Sequence, residues 1–309
     1  MGTHYNVTVA GVSLPSDALR SLKAEVDGLL KRINKQMSTY DPESELSRFN
    51  ASRELTPFPV SPETARVVHT ALLFSKETKG AFDPTVGPLV NLWGFGPEKR
   101  TGELPDPAKI RAVLPSVGYW HLKASLNPPS LRKNVPGLYL DLSAIAKGFG
   151  VDEVGRLLES KGYTNFLVEI GGEIVAKGKN PKGEPWRVGI DRPTPGSQPG
   201  AAFEAYARIG NGALATSGDY RNYFTKDGIR FSHFVDPRTA GPIRHRLASA
   251  SVLAPNCMLA DAAATAVMIL GPVQGRAYIE GKQGWEALFM VAEKDGSFTG
   301  LTTNGFPRE

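Results

Sequence analysis

Asp261 and Thr265 stand four residues apart in Ala260-Asp-Ala-Ala-Ala-Thr-Ala-Val-Met-Ile-Leu270, a run of strong helix formers. That spacing puts both side chains on one helical face, about one turn from each other. A carboxylate on so small and apolar a helix is costly to bury unless something neutralises it. Carboxylate plus hydroxyl is an all-oxygen pair, which suits a hard divalent ion such as Mg2+ rather than zinc or copper. The alternative is that Asp261 accepts from a nearby backbone amide while Thr265 bonds back to its own helix. These residues alone leave both open.

A second group lies in Phe231-Ser-His-Phe-Val-Asp-Pro-Arg-Thr239, where Pro237 turns the chain at a strand's end. His233 there is a candidate general base, because imidazole titrates near neutral pH, although a single histidine also serves structure. The segment Tyr139-Leu-Asp-Leu-Ser-Ala-Ile-Ala-Lys-Gly-Phe-Gly150 reads as strand, tight loop and helix. A helix start favours anions, and Asp141 and Lys147 bracket the turn with an acceptor and a cation. Glu153 occupies the third position of a would-be G-x-G-x-x-G, so the dinucleotide fingerprint fails.

Three polar islands complete the set. Ser38 to Asn50 places Tyr40 just after a helix, where its ring could stack on a flat ligand or simply belong to a capped loop. Gly80-Ala-Phe-Asp-Pro-Thr-Val-Gly87 offers Asp83 and amides in a turn set by Pro84. Ala213-Leu-Ala-Thr-Ser-Gly-Asp-Tyr220 sets Thr216 and Ser217 beside a glycine turn, to bind phosphate or to close a hairpin. No G-x-S-x-G, H-E-x-x-H or Walker A sequence occurs, which removes the serine-hydrolase, zincin and P-loop readings.

The elements that must position these residues are legible in outline. Residues 3–11 alternate as a strand, and Leu19, Leu22, Val26, Leu29, Leu30 and Ile33 give an amphipathic helix after Ser16-Asp17. Ser61 and Pro62 start a second helix that Gly80 stops. Strands are expected at 138–143, 165–170, 186–191, 203–209, 229–235, 248–253 and 287–292, with a helix at 149–161. The Ala-rich helix precedes another near 272–281, and Pro- and Gly-rich loops fill 94–107, 124–137 and 192–200. Strand meanders with inserted helices favour α+β over a doubly wound sheet.

With 309 residues the chain is long enough for one elaborate domain or two lobes around a cleft. A net charge of +5 comes without any run of five like charges or any basic stripe interleaved with aromatics, which argues against nucleic acid. Cys257 is the sole cysteine, so no intrachain disulfide forms, and it reads as a small core residue. No stretch of eighteen consecutive apolar residues exists, and the start has neither a basic end nor an apolar run.

Taken in order, these pieces resemble the ApbE family, the FAD:protein FMN transferases. The matching stretches are Met1-Gly-Thr3, Ser38-Thr-Tyr40 through Asn50, Gly80-Ala-Phe-Asp83, Asp141-Leu-Ser143 through Lys147-Gly148, Glu169-Ile-Gly-Gly172, Ala215-Thr-Ser-Gly218, His233-Phe-Val-Asp-Pro237 and Ala260-Asp261 through Thr265. The resemblance implies one α+β domain over residues 1–309, with antiparallel or mixed sheets, packed helices and FAD in a cleft. It implies Mg2+-dependent transfer of FMN from FAD to a threonine of a partner protein, with release of AMP.

Carried over by position, the metal is expected on Asp261, Thr265 and the Ala144 carbonyl. FAD is expected against Met1, Tyr40, Ala81, Phe82, Asp83, Asp141, Lys147 and Val235, with His233 as base. Some members carry a second carboxylate where this chain has Ala264, so weaker metal binding is expected. Some carry a glutamate where it has Lys147. Tyr40 matches the transferases, whereas FAD-hydrolysing relatives tend to have a smaller polar residue there. The expected partner is a membrane-bound respiratory or electron-transfer protein. The motif at Met1 lies well inside a precursor in this family, implying a trimmed, exported, lipid-anchored periplasmic protein.

Overall fold

The computed structural model describes residues 2–96, 103–194, 196, 198, 200–220 and 222–308. In chain order its early strands are β1 (Tyr5–Val9), β2 (Phe58–Pro59), β3 (Leu122–Leu126), β4 (Pro129–Lys133), β5 (Phe166–Ile170), β6 (Glu173–Lys177), β7 (Trp186–Asp191) and β8 (Phe203–Ile209). After them come β9 (Gly212–Gly218), β10 (Tyr223–Lys226), β11 (Ile229–Ser232), β12 (Val235–Asp236), β13 (Gly241–Pro242), β14 (Leu247–Ala254), β15 (Glu286–Ala292) and β16 (Phe298–Thr302). The helices are α1 (Ser16–Met37), α2 (Glu45–Ala51), α3 (Pro62–Glu77), α4 (Gly87–Leu92), α5 (Pro107–Val113), α6 (Ala146–Ser160) and α7 (Cys257–Glu280).

A seven-stranded sheet in the order β1-β5-β6-β9-β14-β15-β16 organises the molecule, and each of its ladders is antiparallel. Side chains on a strand alternate between faces. Accordingly Ala213 and Ala215 of β9 and Ala287 and Phe289 of β15 pack towards the helices. Leu214, Leu288 and Met290, one step out of phase, pack against the β7–β8 ribbon on the other face. The sheet is therefore covered on both sides, with α6 and α7 against one face and β7–β8 against the other. Helix α1 packs over α6, and α3 packs over the small β2-β4-β3 sheet.

Helix α7 is apolar all round because it runs through the centre of the core. It is long and apolar enough to cross a membrane, yet 67% of its most apolar stretch is buried within the protein. Asn256 caps it, its side-chain oxygen accepting from Leu259 N at 3.0 Å. At Gly271 the backbone leaves the helix (φ 78°, ψ 175°), and Pro272 starts the second segment, which is the break expected near residue 272.

Several expectations need correction. Residues 138–143 form no strand. Leu140 N donates to Asn50 Oδ1 and Asn50 Nδ2 to the Leu140 carbonyl, while Asp141 N donates to the Pro84 carbonyl. A side-chain amide and a turn thus replace a neighbouring strand. Residues 124–137, expected as a loop, instead carry most of the β3–β4 hairpin, and 94–107 ends in the start of α5. The island at 213–220 is mostly strand β9, and 229–235 splits into β11 and β12 around His233. The loops at 94–107 and 192–200 lie partly outside the described residues.

Candidate active site

A cavity of about 440 Å3 opens between the start of α6, the middle of α7 and the loops after α1, α3 and β11. Tyr40, Ala81, Phe82, Asp83, Asp141, Ala144, Lys147, His233, Val235, Asp261 and Thr265 all line it. Residues that sequence reasoning singled out from five separate segments thus meet in one place. Met1 lies outside the described residues.

One end of the cavity is built where α6 crosses α7. A Cβ on Gly148 would sit 2.2 Å from the Cys257 carbonyl oxygen and 2.8 Å from Asp261 Cβ, so only glycine permits this approach. The contact lets Gly148 N donate to Asp261 Oδ2 at 2.9 Å. The anion at the start of α6 is therefore the protein's own Asp261 carboxylate. Thr265 Oγ1 reaches across to Ser217 Oγ at 3.3 Å on β9. Ala144 sits in the turn just before α6, and Lys147 in its first turn.

Lys147 Nζ donates to Glu173 Oε1 at 2.5 Å. Glu173 also lines the cavity, is 2% exposed, and its Oε2 is buried with no hydrogen-bond partner. Burial raises the pKa of Glu173, with the Asp261 charge adding to it and Lys147 opposing it. Asp261 is likewise raised by burial, against Lys147 and the Gly148 amide. For Lys147 burial pulls downward, but the carboxylates of Asp261 and Glu173 outweigh it and leave the ammonium stabilised.

Two carboxylates thus share one ammonium at a buried spot, leaving room for further positive charge. Carboxylate, hydroxyl and carbonyl oxygens are the ligand types that hard cations take. The residues fit a Mg2+-class ion held by Asp261, Thr265 and the Ala144 carbonyl. Among the described residues no three His, Cys, Asp or Glu side chains cluster as a metal site.

The other end is apolar and carries His233. Val86, Val90, Phe95, Phe234 and Val235 wall it. Among the described residues the β10–β11 hairpin pairs with no other strand, and ring stacking helps to hold it. Phe224 and Phe231 stack at 4.9 Å, and Trp93 stacks on Phe231 at 5.7 Å while its Nε1 donates to the Ala240 carbonyl at 3.0 Å. His233 Nδ1 lies 2.9 Å from the Asn222 carbonyl. A carbonyl only accepts, so Nδ1 carries the proton and Nε2 is the basic nitrogen. Burial among these rings drives the imidazole pKa down to about 4, the Asn222 carbonyl opposing and Arg230 assisting. His233 is therefore neutral at physiological pH. Asp236 is fully engaged by Arg238, at 2.9 Å and 2.8 Å.

At the mouth Tyr40 is 76% exposed, its ring offered to the cavity. Ser38 holds this loop: its Oγ accepts from Tyr40 N and Asp41 N, and its carbonyl accepts from Ser44 and Ser47 hydroxyls. Ser44 also caps α2. Asp83 spends its carboxylate internally, accepting from Thr85 N and Oγ1 and from Tyr119 N, which fixes the Ala81-Phe82-Asp83 turn. Asp141 Oδ1 accepts from Ser143 N in an Asx turn. Glu169, within the Glu169-Ile-Gly-Gly172 motif, ties Asn6 to Gly172 and stays out of the cavity.

Sequence reasoning missed Glu173. Its signal was the period-two alternation that places it on the same face of β6 as Val175, which packs towards the helices.

Comparison with known proteins identifies the family of the chain. The model of the ApbE family matches residues 1–289. The FAD:protein FMN transferase of Vibrio cholerae is 44% identical over 306 residues, covering 99% of this chain and 89% of its own length. That of Escherichia coli is 40% identical over 302 residues, covering 96% and 84%. Among solved structures, the flavin transferase ApbE from Vibrio cholerae superposes with a TM-score of 0.87 at 44% identity, covering 99% of this chain and 95% of its own. The apo form of the Pseudomonas stutzeri flavinyl transferase ApbE gives 0.86 at 37% identity, covering 98% and 92%. The chain belongs to the ApbE family.

Proposed function

We propose that this chain is a FAD:protein FMN transferase that uses Mg2+ and modifies a threonine hydroxyl of its acceptor, releasing AMP. The observation carrying this reading is the convergence of Asp261, Thr265, Ala144, Lys147 and His233 on one cavity that also presents Tyr40 at its mouth. The chemistry required is attack of an alcohol on the FMN phosphorus of FAD, with the bond to the AMP phosphate breaking. A bound Mg2+ supplies Lewis-acid masking of the diphosphate charge. Lys147 adds a fixed positive charge to the same end, oriented by Glu173. His233 Nε2, neutral and basic, accepts the proton of the attacking hydroxyl, a role worth about 10²–10⁴ in rate. The ring of Tyr40 stacks on a planar part of FAD and shields the mouth from water. No side chain of the enzyme needs to act as nucleophile, in keeping with the absence of serine or cysteine signatures.

The acceptor we infer is a membrane-bound respiratory or electron-transfer subunit, with the enzyme on the periplasmic side and lipid-anchored in its precursor. The test is incubation with FAD, Mg2+ and a threonine-bearing acceptor, followed by mass spectrometry. An FMN adduct on threonine, matched by AMP, is expected. Equally fast AMP release without acceptor would instead mark an FAD pyrophosphatase. Binding of FAD without any turnover would mark a carrier.

A further inference from the structure

Glu173 is used on one side only. Oε1 accepts from Lys147 Nζ, while Oε2 is buried, makes no hydrogen bond within the protein, and belongs to a residue lining the cavity. An unpaired buried acceptor is costly, and the cost persists unless a ligand brings a donor. The strand that carries Glu173 is central in the seven-stranded sheet and follows the Gly171-Gly172 turn, with φ of +60° and +99°. The carboxylate therefore cannot easily swing elsewhere to find a partner.

The donor that fits is water carried by a cation. Asp261 Oδ2 is already occupied by the Gly148 amide. Asp261, Thr265 and the Ala144 carbonyl supply three oxygens, whereas Mg2+ takes six and keeps several as water. Those waters are strong donors, and a carboxylate beside the site is their natural acceptor. We propose that Glu173 is the outer-sphere carboxylate of the divalent-cation site, holding Lys147 through Oε1 and a cation-bound water through Oε2. Glu173 is thus a positioning residue: it acts through the ion's water and through Lys147 without touching the reacting phosphorus.

This inference rests on the proposed Mg2+ site, and the test separates the two. Mn2+ binding to the unliganded protein, followed by electron paramagnetic resonance without FAD, is the readout. In the parent protein binding should be saturable and lost in Asp261→Asn. Glu173→Gln, which keeps the shape of the side chain, should weaken Mn2+ about 10- to 100-fold. The melting temperature measured without metal should stay within a few degrees of the parent's, whereas a merely structural role would lower it together with Mn2+ affinity. If Asp261→Asn leaves Mn2+ binding unchanged, the metal site itself is wrong. If Asp261→Asn abolishes binding but Glu173→Gln does not weaken it, the inference alone fails. A crystal of the unmodified protein with Mn2+ gives an answer even if the variants misfold. It should show a metal-bound water within hydrogen-bond distance of Oε2, and a dry Oε2 or direct coordination by it would overturn the proposal.

Discussion

The residues at the two ends of the cavity differ in charge, and the role proposed for each can be tested alone. Asp261→Asn keeps volume and an acceptor for the Gly148 amide but removes the charge that would hold a cation. Metal-dependent turnover should fall at least a hundredfold while the chain stays folded by circular dichroism; undiminished turnover would remove Asp261 from the metal site. His233→Ala should slow transfer by about 10²–10⁴ with FAD binding retained, and a rate within a few-fold of the parent would place the base elsewhere. The pH dependence of His233 follows from its environment. Burial sets its pKa near 4, below the ordinary value of 6.5. The imidazole therefore stays neutral as pH falls from 7 to about 5, and the step it governs should show no inflection near 6.5. The same depression has a stability consequence. The unfolded chain binds this proton more readily, so the stability linked to His233 is complete above pH 6.5 and is lost as pH falls towards 4. An inflection in the rate near 6.5 that disappears in His233→Ala would contradict a buried, neutral base.

Elements place these residues through close contacts between backbones. Helices α6 and α7 meet at Gly148, and a methyl group there would collide with the Cys257 carbonyl and with Asp261 Cβ. Gly148→Ala should cost about 1–3 kcal/mol by denaturant unfolding. It should also cut metal-dependent turnover disproportionately, because the clash displaces the aspartate itself. Equal stability and activity to the parent would mean the helices separate without consequence. The start of α7 is locked the same way: Asp152 on α6 accepts from Cys257 N at 2.8 Å and Met258 N at 2.9 Å. Burial raises Asp152 to about 6, its two amide donors opposing. Helices of this kind were legible, since the apolar spacing of α1, the cap and Pro62 of α3 and the alanine run of α7 are local signals. Partnerships between segments distant in the chain were not. Residues 138–143 alternate like a strand, yet Asn50 and Pro84 take their backbone groups. The β3–β4 hairpin hid behind Lys123, Ser125, Ser130 and Arg132, whose polarity looks like loop. Glu173 follows two glycines and looks like a surface charge until the sheet's alternation turns it inward. Gly148 looked like a turn residue because the element that crowds it lies more than a hundred residues away.

At the scale of the whole molecule the seven-stranded sheet separates stability from chemistry. Its helical face bears Asp261, Glu173 and the crossing of α6 with α7, whereas its other face packs on β7 and β8. Trp186 of β7 is 6% exposed, belongs to the same apolar cluster as Ile174, Ala176 and Leu214, and donates from Nε1 to the Lys177 carbonyl at 2.9 Å. No residue of β7 or β8 lines the cavity. Truncating Trp186 to alanine should remove about 3–5 kcal/mol of folding stability, the usual cost of deleting a large buried aromatic side chain. Below the melting transition the site should not register it, so FAD affinity and kcat should stay within about twofold of the parent. A strand shift of even a few tenths of an ångström would pass through Leu214 to Thr216 and Ser217 on the same strand, and so to Thr265. A fall in kcat larger than the loss of folded protein would therefore show that the sheet transmits strain from one face to the other. Unchanged kcat with lowered stability would show that it supports the cleft as a rigid floor.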